Sequence, residues 1–317
     1  MNNKILILGL GEIVKDWVSI IPWFPKPDEK IDSIYEEYFG GGVTANYVVS
    51  TSRLGVPSAF IGAVGDDDAG EFLIRDMKNE GVNTNYLTMQ KEKKSAVNFI
   101  FVIKDTGEKT IIQSPYMQST KLSPEDLNID MFKSPKVLHT TCIHPDVTLE
   151  AMKLAKEEGL VISLDLESQI AIRGLKALKP FLNFVDVLLP NKMGAMALTK
   201  KNSPIEAAKE FINMGISCVV ITLGDKGAIG LTKEDTFESP AFKVQAVDAT
   251  GAGDTFCGGF TFAYIIKKWT LQKSLIFANA CAAMKMTQLG ARTGMPTLNK
   301  VISFLHGRGY SNFLSTQ

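Results

Sequence analysis

The chain has 317 residues, 45% hydrophobic and 21% charged, and its 34 Lys+Arg balance 34 Asp+Glu. This length can bury a substantial core as one large α/β domain or two smaller ones. A net charge of zero removes the electrostatic argument for nucleic acid or an anionic membrane as partner.

The N-terminal stretch "MNNKILILGLGEIVKDW" has no long apolar span and no small-residue cleavage site, which predicts a cytoplasmic protein. Within it, "KILILGLG" is a short apolar run ending in glycines, as expected for a buried strand of a parallel sheet. The run is not a dinucleotide fingerprint: Gly9 and Gly11 are in place, but Val14 stands where the third glycine belongs. Residues 16–39 mix aromatics, prolines and charge without a helical period, so they are expected as extended chain outside the main sheet. In "FGGGVTANYVVSTSRLG", Gly40, Gly41 and Gly42 precede a helix with Asn46 in its first turn. Glycines admit a small polar ligand to the backbone, and an amide side chain can donate to and accept from a hydroxyl. A flexible loop with a polar first turn accounts for the same residues equally well.

"PSAFIGAVG" predicts the next strand and "AGEFLIRDMKNEG" the helix after it. Residues 95–113 read as two strands joined at "KDTGE"; with 16–39 they could form a small sheet over a cleft, or a pair of surface hairpins. The helix "PDVTLEAMKLAKEEG" leads to the strands "LVISLDL" and "FVDVLLPN". In "SPIEAAKEFINMG", Ser203 and Glu206 have capping-box spacing, Pro204 takes the first helical position and Gly215 is the stop. The strand "ISCVVITLG" then ends in a loop holding Thr222, Gly224 and Gly227, either a ligand loop at a strand end or a tight turn. Strands alternating with helices predict a doubly wound α/β fold, its mostly parallel sheet covered on both faces. Cys142, Cys218, Cys257 and Cys281 lie far apart, mostly in apolar runs, without zinc-ligand spacing, so reduced core thiols are expected. There is no Gly-Lys-Ser/Thr of a P-loop and no His-Arg-Asp of a protein-kinase catalytic loop.

The most specific stretch is "DATGAGDTF" at 248–256, running into the apolar "CGGFTFAYII". A helix start presents unpaired N–H groups to an anion, and glycines let the backbone come close to it. The acid there is either a favourable first-turn charge or a base beside a bound phosphate.

In order, "GEIVKD", "GGGVTANYVVSTSRLG", "IGAVGDDDAGEFLIRDMKNEGV", "LLPN", "ITLGDKGA" and "DATGAGDTFCGGF" resemble the ribokinase family of carbohydrate kinases, the phosphofructokinase-B type, over nearly the whole chain. The resemblance implies an ATP-dependent, Mg2+-assisted kinase acting on a sugar hydroxymethyl group. Asp254 would be the general base, and the N–H groups of Gly251, Ala252 and Gly253 an anion hole. Asp16, Gly41, Gly42 and Asn46 match sugar-binding positions. Thr222, Gly224, Gly227 and Asn279 match positions around the nucleotide, and Asn191 one near its phosphates and metal. Asp248 and Thr250 match a monovalent-cation site, for K+, found in part of the family. One ribokinase-like domain over 1–317 is implied, with 16–39 and 95–113 as a β-sheet lid that can also join a homodimer. A nucleoside kinase of the same fold is the enzyme alternative, and a non-catalytic nucleotide- or sugar-binding protein the alternative of another class. Trp17, Trp23 and Phe24 could stack on a base or a sugar face, or pack the lid. The chain departs from the family at "NKMG" (191–194), where Gly194 replaces an acid, and Glu167 on the neighbouring strand end is the candidate substitute. It also has "DLE" at 165–167 in place of Asp-x-Asn, and "LHTTCIHP" without the acid of the ribose enzymes.

Overall fold

The computed structural model describes residues 4–310 and 313; residues 1–3, 311–312 and 314–317, the ends of the 1–317 span, lie outside the described residues. In chain order the strands are β1 (Ile7–Leu10), β2 (Val14–Ile21), β3 (Tyr35–Gly41), β4 (Ser58–Gly65), β5 (Leu87–Gln90), β6 (Val97–Ile103) and β7 (Lys109–Ile112), then β8 (Val137–Thr140), β9 (Val161–Leu166), β10 (Val187–Pro190), β11 (Cys218–Thr222), β12 (Ala228–Leu231) and β13 (Thr236–Ser239). The helices are α1 (Val43–Arg53), α2 (Asp68–Asn79), α3 (Pro145–Glu157), α4 (Ser168–Ala171), α5 (Leu175–Leu182), α6 (Lys192–Thr199), α7 (Pro204–Asn213), α8 (Ala252–Phe260), α9 (Leu271–Lys285) and α10 (Leu298–His306).

Nine strands form one sheet in the order β13-β12-β11-β10-β9-β8-β1-β4-β5. The seven from β11 to β5 run parallel, and β12 and β13 extend that sheet antiparallel. β1 lies at the reversal of strand order, with Ile7 beside both Ser58 of β4 and Val137 of β8. Its Ile7 belongs to the core on one face of the sheet, with Tyr47, Phe260 and Phe277, while Leu8 belongs to the core on the other, with Ile61, Met152 and Phe211. Burial on both faces is why such a strand reads as an unbroken apolar run. The doubly wound fold is therefore as the alternating pattern predicts. Ser203 caps α7 by accepting from the Glu206 N–H at 3.3 Å. All four cysteines are free and buried. Among the described residues no helix is long and apolar enough to cross a membrane.

The two irregular segments meet in a separate four-stranded sheet, order β3-β2-β6-β7. β2 pairs parallel with β6, Asp16 beside Asn98, and antiparallel with β3. One face of β2 turns Asp16 and Val18 inward. On β2, β6 and the chain after β2, Trp17 meets Phe99 and Phe101 edge-on at 5.7 and 5.8 Å, and Phe24 meets Phe101 at 5.9 Å. These aromatics pack on one another within the small sheet.

Candidate active site

The site starts where α8 starts. The Thr255 N–H makes the first helical bond, to the Gly251 carbonyl at 2.9 Å, so the N–H groups of residues 251–254 are the initial, unpaired ones. The Ala252 N–H turns back to the Ala249 carbonyl at 3.1 Å, which leaves those of Gly251, Gly253 and Asp254 as the open members. Gly251 has φ 76°, and a Cβ on it would run into the Ala291 carbonyl, so only glycine fits this turn. Apart from its chain neighbours and the backbone of its own helix, no atom lies within 4 Å of where a Gly253 Cβ would stand, so the helix start is open to a ligand.

Asp254, in the first turn, accepts a 2.7 Å hydrogen bond from Asn46 Nδ2. The other end of that amide, Asn46 Oδ1, accepts from Arg292 Nε at 2.8 Å. Arg292 is buried, donates to the Gly41 carbonyl at 2.9 Å and pairs with Asp76. The guanidinium thus sets the direction of the amide, because an amide oxygen only accepts and its nitrogen only donates. Burial pushes the Asp254 carboxyl up to about 7; the Asn46 bond opposes this, the charges of Glu167 and Glu12 add to it, and Arg292 opposes it.

Other acids gather at this end of the sheet. Burial raises Glu12 to about 7, although its carboxylate accepts from the Val43 N–H at 2.9 Å and so caps α1. Asp165, at the end of β9, is pushed well above the usual carboxylate range by burial and by the charges of Glu167 and Asp254. Asp16 is raised to about 6 by burial, against a 3.0 Å hydrogen bond from Asn98 Nδ2. Gly41 lies directly against the Asp16 carboxylate, and Gly42 is the N-cap of α1. The sugar-side positions Asp16, Gly41, Gly42 and Asn46 are therefore brought together, with Asp254 among them.

The nucleotide-side positions form a second group. Asn191 caps α6 through a 2.7 Å hydrogen bond from the Gly194 N–H and bridges to Thr222 at the end of β11. Gly224 and Gly227 close the turn after that strand, the Leu223 N–H donating to the Gly227 carbonyl at 2.7 Å. Gly227 lies against the Ser239 carbonyl, to which Asn279 Nδ2 donates at 3.0 Å, so Asn279 props the turn from behind. At Gly194 an added Cβ would stand 2.9 Å from the Leu166 carbonyl, so α6 packs closely on the end of β9 and any side chain there would require a local shift. Glu167 follows that strand end directly. Among the described residues no group of three or more His, Cys, Asp or Glu side chains is arranged to hold a metal ion.

Asp248 and Thr250 bond to each other: Asp248 Oδ1 accepts from the Thr250 N–H at 2.9 Å and from its hydroxyl at 2.6 Å. Two lysines reach them as well. Lys285 Nζ donates to the Asp248 carbonyl at 2.8 Å, and Lys109 Nζ to Thr250 Oγ1 at 2.7 Å. Asn98, Lys109, Lys285 and Arg292 belong to none of the sequence motifs. The one sequence signal for any of them is a lysine inside the apolar "ANACAAMKM".

A family model described as pfkB family carbohydrate kinase matches residues 4–298. A ribokinase of Haemophilus influenzae is 30% identical over 308 residues, covering 93% of this chain and 97% of its own. Fructokinase-2 of Solanum lycopersicum is 29% identical, covering 95% of this chain and 96% of its own. The structure of an Escherichia coli ribokinase II candidate in complex with ATP and Mg2+ superposes with a TM-score of 0.85 at 23% identity, over 96% of this chain and 99% of that one, a likeness of fold.

Proposed function

The chain belongs to the pfkB family of carbohydrate kinases, and from that premise we propose that it moves the γ-phosphoryl group of ATP to a hydroxymethyl group of a sugar or sugar derivative. The observation that carries this reading is the Asp254 carboxyl: buried, 2.7 Å from Asn46 and raised to about 7 in the first turn of α8. A base poised near neutral pH removes a hydroxyl proton most effectively. Asp254 takes that proton as the oxygen attacks. Asn46 and Asp16 hold sugar hydroxyls, and the Asn46 amide fixes the distance from sugar to base. The Gly251 and Gly253 amides, with Ala252 sharing its own, stabilise charge on the transferring group. Thr222, Gly224 and Gly227 seat the nucleotide, with Asn279 behind them and Asn191 at the phosphate end.

Burial and the charges of Glu167 and Asp254 push the Asp165 carboxyl up, and this crowding of acids suits a divalent ion arriving with the nucleotide. Asn191, Asp165 and Glu167 are the residues to hold Mg2+, which neutralises phosphate charge when bound and keeps several of its waters. The whole chain acts as one folding unit in the cytoplasm. The four-stranded sheet is its lid, excluding water from the transfer, and its outer face is the place for a homodimer contact.

The test is ADP release from ATP against a panel of sugars, sugar phosphates and nucleosides, for the wild type and Asp254→Asn. A sugar or sugar derivative should accelerate release by the wild type alone. A nucleoside as best acceptor moves the reading to a nucleoside kinase on the same scaffold. ATP binding without turnover on any acceptor makes the chain a binding protein.

A further inference from the structure

We propose that the Lys285 ammonium group stands in for a bound monovalent cation beside the 248–254 loop, so that this chain holds the start of α8 in place without potassium. The inference takes the importance of that loop from the proposed function, but the occupancy it predicts can be measured without any substrate.

A potassium ion needs oxygen atoms that are free to turn toward it. At Asp248 they are already engaged. Oδ1 accepts from the Thr250 N–H and hydroxyl, Oδ2 accepts from the Gly290 N–H at 2.9 Å, and the carbonyl accepts from Lys285 Nζ at 2.8 Å. The Thr250 hydroxyl, which donates to Asp248, accepts from Lys109 Nζ at 2.7 Å. Both ammonium nitrogens also lie 3.9 Å from the Asp248 carboxylate, Lys109 from Oδ1 and Lys285 from Oδ2. A further cation would meet two positive charges before it met a free lone pair.

Lys285 is placed to do this work. Its side chain is 0% exposed, and it is the last residue of α9, whose C-terminal end favours a positive charge. Lysine is rarely buried completely unless its charge is paired. The same helix end grips the loop through the backbone: the Met286 carbonyl accepts from the Val247 and Asp248 N–H groups at 2.7 and 3.1 Å. Gly290, just beyond, adds its N–H to Asp248, and the Ala291 carbonyl lies against Gly251. The ammonium therefore completes a set of contacts that runs from α9 through Asp248 to the glycine turn that opens α8. Burial pushes Asp248 up, but the Thr250 bonds, the Lys285 charge and the Gly290 N–H outweigh it and hold the carboxyl low. Burial lowers Lys285 to about 8 against the pull of Asp248.

Two measurements test this on the whole chain. Crystals soaked in thallium(I), a heavy substitute for potassium, should show no anomalous peak beside Asp248 in the wild type and one in Lys285→Ala. Melting temperature and ATP affinity of the wild type should be the same in potassium chloride and in tetramethylammonium chloride at equal ionic strength. Lys285→Ala should bind ATP more weakly and melt lower in tetramethylammonium, and potassium should restore about 5 °C of the lost Tm. A merely structural lysine would leave that variant equally damaged in both salts. A thallium peak or a potassium-dependent Tm in the wild type overturns the proposal, and so does a folded Lys285→Ala without any response to potassium. If Lys285→Ala does not fold, the two wild-type measurements decide, and Lys285→Met replaces it in the comparison of salts.

Discussion

Asp248 and Asp254 close the two ends of one short loop, and the protein treats them in opposite ways. Burial pushes both carboxyls up. At Asp248, two bonds from Thr250, one from Gly290 and the Lys285 charge overcome it, so this acid is a fixed anion. At Asp254, one bond from Asn46 and the more distant Arg292 face burial plus the charges of Glu167 and Glu12, and the carboxyl stays near 7. Residue type and motif are shared; the neighbours differ. Donors and cations make an aspartate a strut, whereas burial among other acids raises its affinity for a proton and, in the proposed mechanism, suits it to be the acceptor.

The sharpest way to break this comparison is at the acceptor. Asp254→Asn keeps the shape and the Asn46 contact but cannot take a proton, and turnover should fall by about two to four orders of magnitude with ATP affinity retained. Near-normal turnover in the purified variant rejects the assignment of the base. In the wild type, kcat/KM should drop below pH 7, where the Asp254 carboxyl holds its proton, and level off above it. Asp248 should add no inflection there, because its carboxyl is held low.

At the strut the loss should appear as stability. Asp248→Ala strips the fully buried Lys285 ammonium of its carboxylate, and stranding a buried charge costs about 3–5 kcal/mol. Denaturant unfolding measures this. A change below about 0.5 kcal/mol, the scale of a surface substitution, would mean that the ion pair holds nothing in place.

Around the acceptor, Asn46→Ala and Asp16→Ala should each weaken sugar use by about 1–3 kcal/mol of binding while leaving nucleotide affinity close to that of the wild type. Loss of ATP binding with sugar affinity intact would show that the two ends of the site are reversed.

The smallest effect distinguishes the two acids by pH. The folded-state pKa of Asp254, about 7, lies above its ordinary 3.8, so its contribution to stability is full below about pH 4 and declines as pH rises through 7. For Asp248 the shift is downward, so its contribution is present above its ordinary range and is lost in acid. Asp254→Asn should therefore melt above the wild type at pH 8, and the gap should close toward pH 4. An equal gap at both pH values would mean that Asp254 ionises without penalty in the folded chain.

What the sequence determined by itself was local. Apolar runs bounded by glycine and proline become the strands of the parallel sheet, and Ser203 caps its helix, because these outcomes depend on residues within a turn or two of one another. The glycine turn before Asp254 is equally legible, since a helix start and its unpaired N–H groups belong to one short stretch. Tertiary structure alone decided what that acid faces. Asn46, which holds it, is 208 positions away, and Arg292, which aligns Asn46, is 246 positions from it. Arg292 and Lys285 look in sequence like ordinary charges in and after an apolar helix; only the packing of α9 and the chain beyond it against α8 brings one to Asn46 and the other to Asp248. Periodicity records which face of an element is buried, but a carboxyl's affinity for its proton is set by every charge and donor around it in a medium of low polarity, and those arrive from distant parts of the chain.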